Sequence, residues 1–230
     1  MTRTKTTGRR SRADSRHGIS RSLKGLIRQH VDDHVRGGFL SDAEIAESVL
    51  VSFLGEAPVS VMKPLSKAFI KMARLAVLAD SAQWPRVTDC DRLDLAFAEL
   101  NDLGILARQN FSCCTSCGVD EIDRELRFKK HGSKIGYVFF TRNDACSAVH
   151  GLLCLAFGSR DATPASMRRV AKAVLACLLR HKLKARWSGD IDEKILIRVK
   201  WQSRRGVMLK PQLTATKPRN SGLSCCTGHR

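Results

Sequence analysis

Residues 105–126 read "ILARQNFSCCTSCGVDEIDREL", and how they are divided decides the fold. Ile105–Phe111 has the apolar, β-favouring character of a strand. Three cysteines follow within five positions, and 118–130 repeats at helical spacing with Val119, Ile122 and Leu126 inward. The stretch is therefore expected to run strand, thiol-bearing turn, helix.

Working outward toward the C-terminus, Ile135–Thr141 and Leu152–Phe157 are near-continuous apolar runs, as central strands are. A helical turn fits between them at 144–150. "TPASMRRVAKAVLACLLRHKL" (163–183) opens with a Thr cap and Pro at the first helical position. Its stripe is Met167, Val170, Val174 and Leu178. "KARWSGDIDEKILIRVKW" (184–201) reads as two strands around Ser188-Gly189-Asp190, with Trp187 and Trp201 covering the sheet.

Toward the N-terminus the pattern is helical. "WPRVTDCDRLDLAFAELNDLGIL" (84–106) has Thr88 or Asp89 as cap, Asp91 and Asp94 near the positive helix end, and Leu93, Ala96, Phe97 and Leu100 as its buried face. Gly104 suits a left-handed cap. A third helix is expected over 62–81 with Leu65, Phe69, Met72, Leu75 and Ala76 inward. "SDAE" at 41–44 is a capping box opening a second helix, in which Ile45, Val49, Leu50 and Phe53 face in. The first helix runs from Ile19 to the Gly37-Gly38 pair. The order predicts an α+β fold: a helical N-terminal half, then a sheet of about five strands with helices packed on one face. Residues 19–205 form one expected domain, helical over 19–82 and sheet-containing over 88–205. Residues 1–18 and 206–230 are expected to be disordered basic tails.

The net charge of +18 divides unevenly. Residues 1–28 carry nine Lys/Arg against one acid, 200–230 carry seven and none, and the remainder holds 24 against 21. Such tails attract polyanions weakly and without specificity, and a nucleic-acid-associated role through them is one open reading. Nothing approaches the 18 consecutive apolar residues of a membrane span. Nor is there an apolar run behind the N-terminal Arg pair, so no secretory signal is expected. Nine cysteines at irregular spacing point to free thiols in a reducing, cytoplasmic setting rather than a disulfide framework.

For the cysteines three readings stay open. Cys114 and Cys117 have the C-x-x-C spacing of zinc ligands, Cys113 can supply a third sulfur, and Cys90, His131 and Cys146 are candidates for the fourth. Alternatively, Cys114 at a positive helix end is the nucleophile and Cys117 the resolving thiol of an oxidoreductase. Against this, the chain is expected to lack the parallel β-α-β surroundings and cis-proline usual in such enzymes. Lastly, the thiols simply pack a turn. Arg108, Gln109 and Asn110 end one strand and Asp144 would end the next, so these four are candidate binding residues. The bland version makes Arg108 and Asp144 an ion pair. His30 and His34, one turn apart, can chelate but lack an H-E-x-x-H pattern and suit packing better.

Taken together, "TDCDRLDLAFAELNDLGILARQNFSCCTSCG" (88–118), "GYVFF" (136–140), "LLCLAFG" (152–158), "RWSGDIDEKILIRVKW" (186–201) and the Arg204-Arg205 pair resemble an uncharacterised bacterial family, domain of unknown function 6891. The resemblance covers about residues 25–205 and rests on the motif Arg108-Gln109-Asn110-Phe111-Ser112-Cys113-Cys114-x-x-Cys117-Gly118. It implies a single intracellular bacterial domain and no particular chemistry. After "GYVFF" the family tends to read His-x-Gln-Asp-Thr-Glu; here stands Thr141-Arg142-Asn143-Asp144-Ala145-Cys146, which keeps only the aspartate.

Overall fold

The computed structural model of the protein describes residues 19–128 and 132–207. Both expected tails fall almost wholly outside these residues. Three helices come first: α1 (Arg21–Gly37), α2 (Asp42–Ser52) and α3 (Val59–Ser81). Ser20 caps α1, and Ser41 with Glu44 forms the expected capping box on α2. The three bury a common core of Ile27, Val31, Val35, Ile45, Val49, Ile70 and Val77.

The buried face of α3 matches the expected one only in part: Leu65 and Phe69 pack against this core. Met62, Ser66, Ile70, Ala73 and Val77 point inward, while Met72 and Leu75 are 51% and 58% exposed. Apolar residues ring this helix on more than one side. Periodicity alone does not choose among such faces; packing against α1 and α2 does.

The second part follows as α4 (Asp89–Asp102), β1 (Ile105–Arg108), α5 (Thr115–Leu126), β2 (Gly136–Phe139), α6 (Arg142–Val149), β3 (Leu152–Ser159), α7 (Pro164–Arg180), β4 (Lys184–Arg186) and β5 (Ile195–Arg198). Thr88 and Asp91 close the start of α4, and Gly104 takes the left-handed conformation after it (φ 83°). The five strands lie in the order β1-β2-β3-β5-β4. β1 and β2 are parallel, with Ile105 opposite Gly136; the other pairs are antiparallel. Thus β1–α5–β2 is a parallel β-α-β unit, which overturns the expectation that the chain lacks this arrangement. No cis peptide bond occurs among the described residues.

Strand alternation sorts the core into two layers. Ile105, Val138, Phe140, Leu153, Leu155, Ile195 and Ile197 face α4 and α7, and α6 adds Ala145 and Ala148 to that core. Trp187 and Trp201 pack against it. On the opposite face, Leu106, Tyr137, Phe139 and Ala156 meet Ile122 and Leu126 of α5. Helices therefore dominate one face, while α5 alone covers the β1–β2 end of the other.

Candidate metal centre

The chain leaves β1 through two residues with left-handed backbones, Asn110 (φ 49°) and Ser112 (φ 62°). Between them the Phe111 N–H donates to the Phe140 carbonyl (2.8 Å), and the Arg142 N–H donates to the Ser112 carbonyl (3.3 Å). The loop is thereby laced to the chain beyond β2. It delivers Cys114 as the N-cap of α5, whose first residue, Thr115, comes three before the expected helix start, and Cys117 as its third residue. No side-chain oxygen caps this helix; the Cys114 sulfur itself faces the Cys117 N–H. Gly118 sits over the Phe139 ring: a Cβ there would lie 2.5 Å from a ring carbon. That close approach sets how near the helix start lies to the sheet.

The result is a compact group. The Sγ atoms of Cys113, Cys114 and Cys117 all lie within 4.8 Å of one another, and all three residues are half-buried. Around a tetrahedral zinc with bonds of about 2.3 Å, neighbouring sulfurs stand about 3.8 Å apart, so a small contraction closes the set on an ion. The Cys114 thiol is pulled down to about 7, first by the Ser116 hydroxyl (3.3 Å from Sγ), then by the backbone N–H and thiol of Cys117 and the thiol of Cys113. A deprotonated sulfur is what a metal needs and what a nucleophile needs. The triad is positioned to hold a metal ion.

The proposed fourth ligands are not brought to it. Cys90 lies buried in the first turn of α4, accepts from the Gln202 backbone, and is pushed up to about 12 by burial. Cys146, on α6, has its Sγ 3.6 Å from His34 Nδ1 and is pushed up to about 11, again by burial. His131 lies outside the described residues.

The polar candidates divide rather than converge. Arg108 forms a two-pronged pair with Glu125 of α5 (Nε to Oε2 3.3 Å, Nη2 to Oε1), not with Asp144. Asp144 closes α6: its carboxylate accepts from the Thr141 backbone (2.9 Å) and hydroxyl (2.7 Å), and from Lys194 (3.0 Å). The expected Arg108–Asp144 pair is thus replaced by two pairs, because the parallel β1–β2 crossover puts α5 beside Arg108. Gln109 Nε2 donates to Asp94 and its Oε1 accepts from Arg205 (3.2 Å). Asn110 turns toward α1, where its Oδ1 is buried without a hydrogen-bond partner. It lines a cavity of about 10 Å³ with His34, Arg142 and Cys146. Arg142 Nε is likewise buried without a partner. His30 bonds Ser48 (2.9 Å), and its ring meets that of His34 edge-on at 4.5 Å. Burial first, then the His30 and Arg142 charges, holds His34 down to about 4. Both histidines thus serve the junction between α1 and its neighbours.

Two features escaped the sequence reading. Ser116, inside the C-x-x-C, is the largest influence on Cys114; its position between the thiols was the available signal. A second group, Glu99, Cys177 and His181, also has its ligand atoms within 4.8 Å. Cys177 and His181 are one helical turn apart in sequence, which would have flagged them. Here His181 (2.6 Å) and Arg180 already engage the Glu99 carboxylate, and burial pushes Cys177 up to about 11. The group braces α4 against α7.

A family model described as domain of unknown function (DUF6891) matches residues 20–205. No curated protein and no solved structure matches the chain. No described helix is long and apolar enough to cross a membrane.

Proposed function

The chain belongs to the DUF6891 family, and we propose that it is a cytoplasmic binding module, residues 19–205 acting as one domain, whose Cys113/Cys114/Cys117 cluster holds zinc. The convergence of three sulfurs on one half-buried point at a helix start carries this reading. Three protein thiolates leave a fourth tetrahedral position for water or a partner's ligand, as in zinc sites that bind rather than merely brace. All seven described cysteines are free, which suits a reducing compartment. Arg108, Gln109 and Asn110 serve this centre by anchoring the loop that carries it. Metal analysis of protein purified without added zinc tests the reading. About one equivalent is expected, lost in Cys114→Ser and Cys117→Ser and kept in Cys146→Ser. Reduced protein that holds no zinc and takes up none would overturn it.

A second reading is favoured by one observation. Cys114 caps the helix of a parallel β-α-β unit with its thiol lowered to about 7, the setting of a dithiol nucleophile. In that case metal-free protein forms a Cys114–Cys117 disulfide in mildly oxidising glutathione buffer, two protons and two electrons passing to glutathione disulfide.

A further inference from the structure

Beyond the cover of α5, the second face of the sheet is open. On β4, β5 and β3 the side chains pointing away from α7 form two cross-strand rows: Lys184, Arg198 and Leu152, then Arg186, Leu196 and Cys154. Lys184, Arg186 and Arg198 are exposed, and so is Lys200, two residues past Arg198 on the same side. With Leu152 and His150 these four cations line a shallow concavity of about 590 Å³. None of the four side chains pairs with an acid among the described residues. Asp89, at the rim, is engaged by Arg92 (2.7 Å) and by the Lys200 backbone N–H (3.0 Å). Lys184 and Arg198 stand directly opposite each other. Like charges so placed repel each other, and an anion laid across them would relieve that repulsion.

We propose that this open half-sheet binds the phosphate backbone of single-stranded nucleic acid. The chain's own ends are poor occupants. Residues 208–230 hold four Lys/Arg and no acid, and 1–18 hold six against one. A second copy of the same face is repelled in the same way. A bilayer is a poor occupant because this face offers Leu152 as its one well-exposed apolar side chain, too little to insert. A basic groove tracking phosphates suits a single strand. No Phe, Tyr or Trp lines the concavity, and the His150 ring at its edge is bonded to Asp33 (3.0 Å), so base stacking adds little. Binding is therefore sequence-independent and steeply salt-dependent.

The full-length protein titrated with a labelled oligouridylate at several salt concentrations tests this. Four phosphate contacts contribute about 3 to the slope of log affinity against log salt, or about 50-fold between ~50 and ~200 mM. The combined variant Lys184→Gln, Arg186→Gln, Arg198→Gln, Lys200→Gln loses that contribution, and Arg198→Gln alone loses about 0.7 of slope. A control neutralises Arg168, Arg169, Lys172 and Lys182, four exposed cations outside the concavity, and keeps most of the slope. Equal slopes in the two combined variants would overturn the proposal, since the charge would then act elsewhere. Failure of the unaltered protein to bind at low salt would also overturn it. So would a face-specific loss seen with phosphatidylserine vesicles and not with the oligonucleotide.

Discussion

Two short helices leave the same end of the sheet, α5 after β1 and α6 after β2, and each carries a cysteine near its start. At α6 the N-terminus is closed from within. Thr141 and Asp144 satisfy each other's backbone, and Lys194 neutralises the carboxylate. Cys146 lies beyond that cap, buried beside His34, with its thiol pushed up to about 11. At α5 no oxygen side chain closes the end, and Cys114 occupies the cap itself with its thiol drawn down to about 7. The same residue type is thus inert at one helix start and reactive at the other. The thiol is drawn down where hydrogen-bond donors meet it, the Ser116 hydroxyl first and then the Cys117 N–H, and is pushed up where burial dominates, as at Cys146.

The largest effect that can break this contrast is kinetic. At pH 7 a thiol of pKa about 7 is about half thiolate, whereas one of pKa about 11 is ionised to about one part in ten thousand. Maleimide labelling of metal-free native protein should modify Cys114 faster than Cys146 by about 100-fold, the difference in ionisation being partly offset by the weaker nucleophilicity of the more acidic thiolate. Peptide mapping after brief exposure reads the ratio, and similar rates would erase the distinction drawn here.

The α6 side has its own pH signature. His34 is depressed from its usual 6.5 to about 4. An unfolded chain then binds the proton first, so stability falls as pH drops from about 6.5 toward 4, by up to about 3 kcal/mol from this group. Denaturant titrations at pH 7 and pH 5 should show the loss, and His34→Leu should flatten it. An unchanged slope in that variant would mean that other groups carry it.

On the α5 side the expected effect is smaller. Gly118→Ala puts a methyl 2.5 Å from the Phe139 ring and must push the helix start off the sheet. Overpacking of this kind costs about 1–3 kcal/mol. Because the triad rides on that helix start, Gly118→Ala should also weaken zinc retention in competition with a chelator. Stability lost with retention intact would separate the packing from the site.

The elements that the sequence revealed best are those whose local signals agree with their packing. In α4, Thr88, the Leu93–Leu100 stripe and Gly104 all point the same way, and each does what its position suggested. The opening of α7 by Thr163 and Pro164 is of the same kind. Misreading occurred where local signals were ambiguous or split across the chain. Met72 and Leu75 looked buried because α3 is apolar on several sides. The Thr141-x-x-Asp144 pair is a capping box in plain view, yet α6 was read as a single turn because only two small alanines anchor it to the core. Arg108 and Asp144 seemed natural partners until the crossover put Glu125 beside one and Lys194 beside the other.

Composition and periodicity were enough to determine the helical half, the run of strands and helices after it, and three thiols at a strand-to-helix turn. These follow from local backbone preferences and from which residues must leave water. Tertiary structure alone decided that β1 and β2 run parallel, that Cys146 is buried beside His34 while Cys114 stays half-buried among hydrogen-bond donors, and that four cations share one half of the sheet. Each of those facts depends on groups far apart in the chain being brought within a few ångströms, and no short-range pattern encodes such distances.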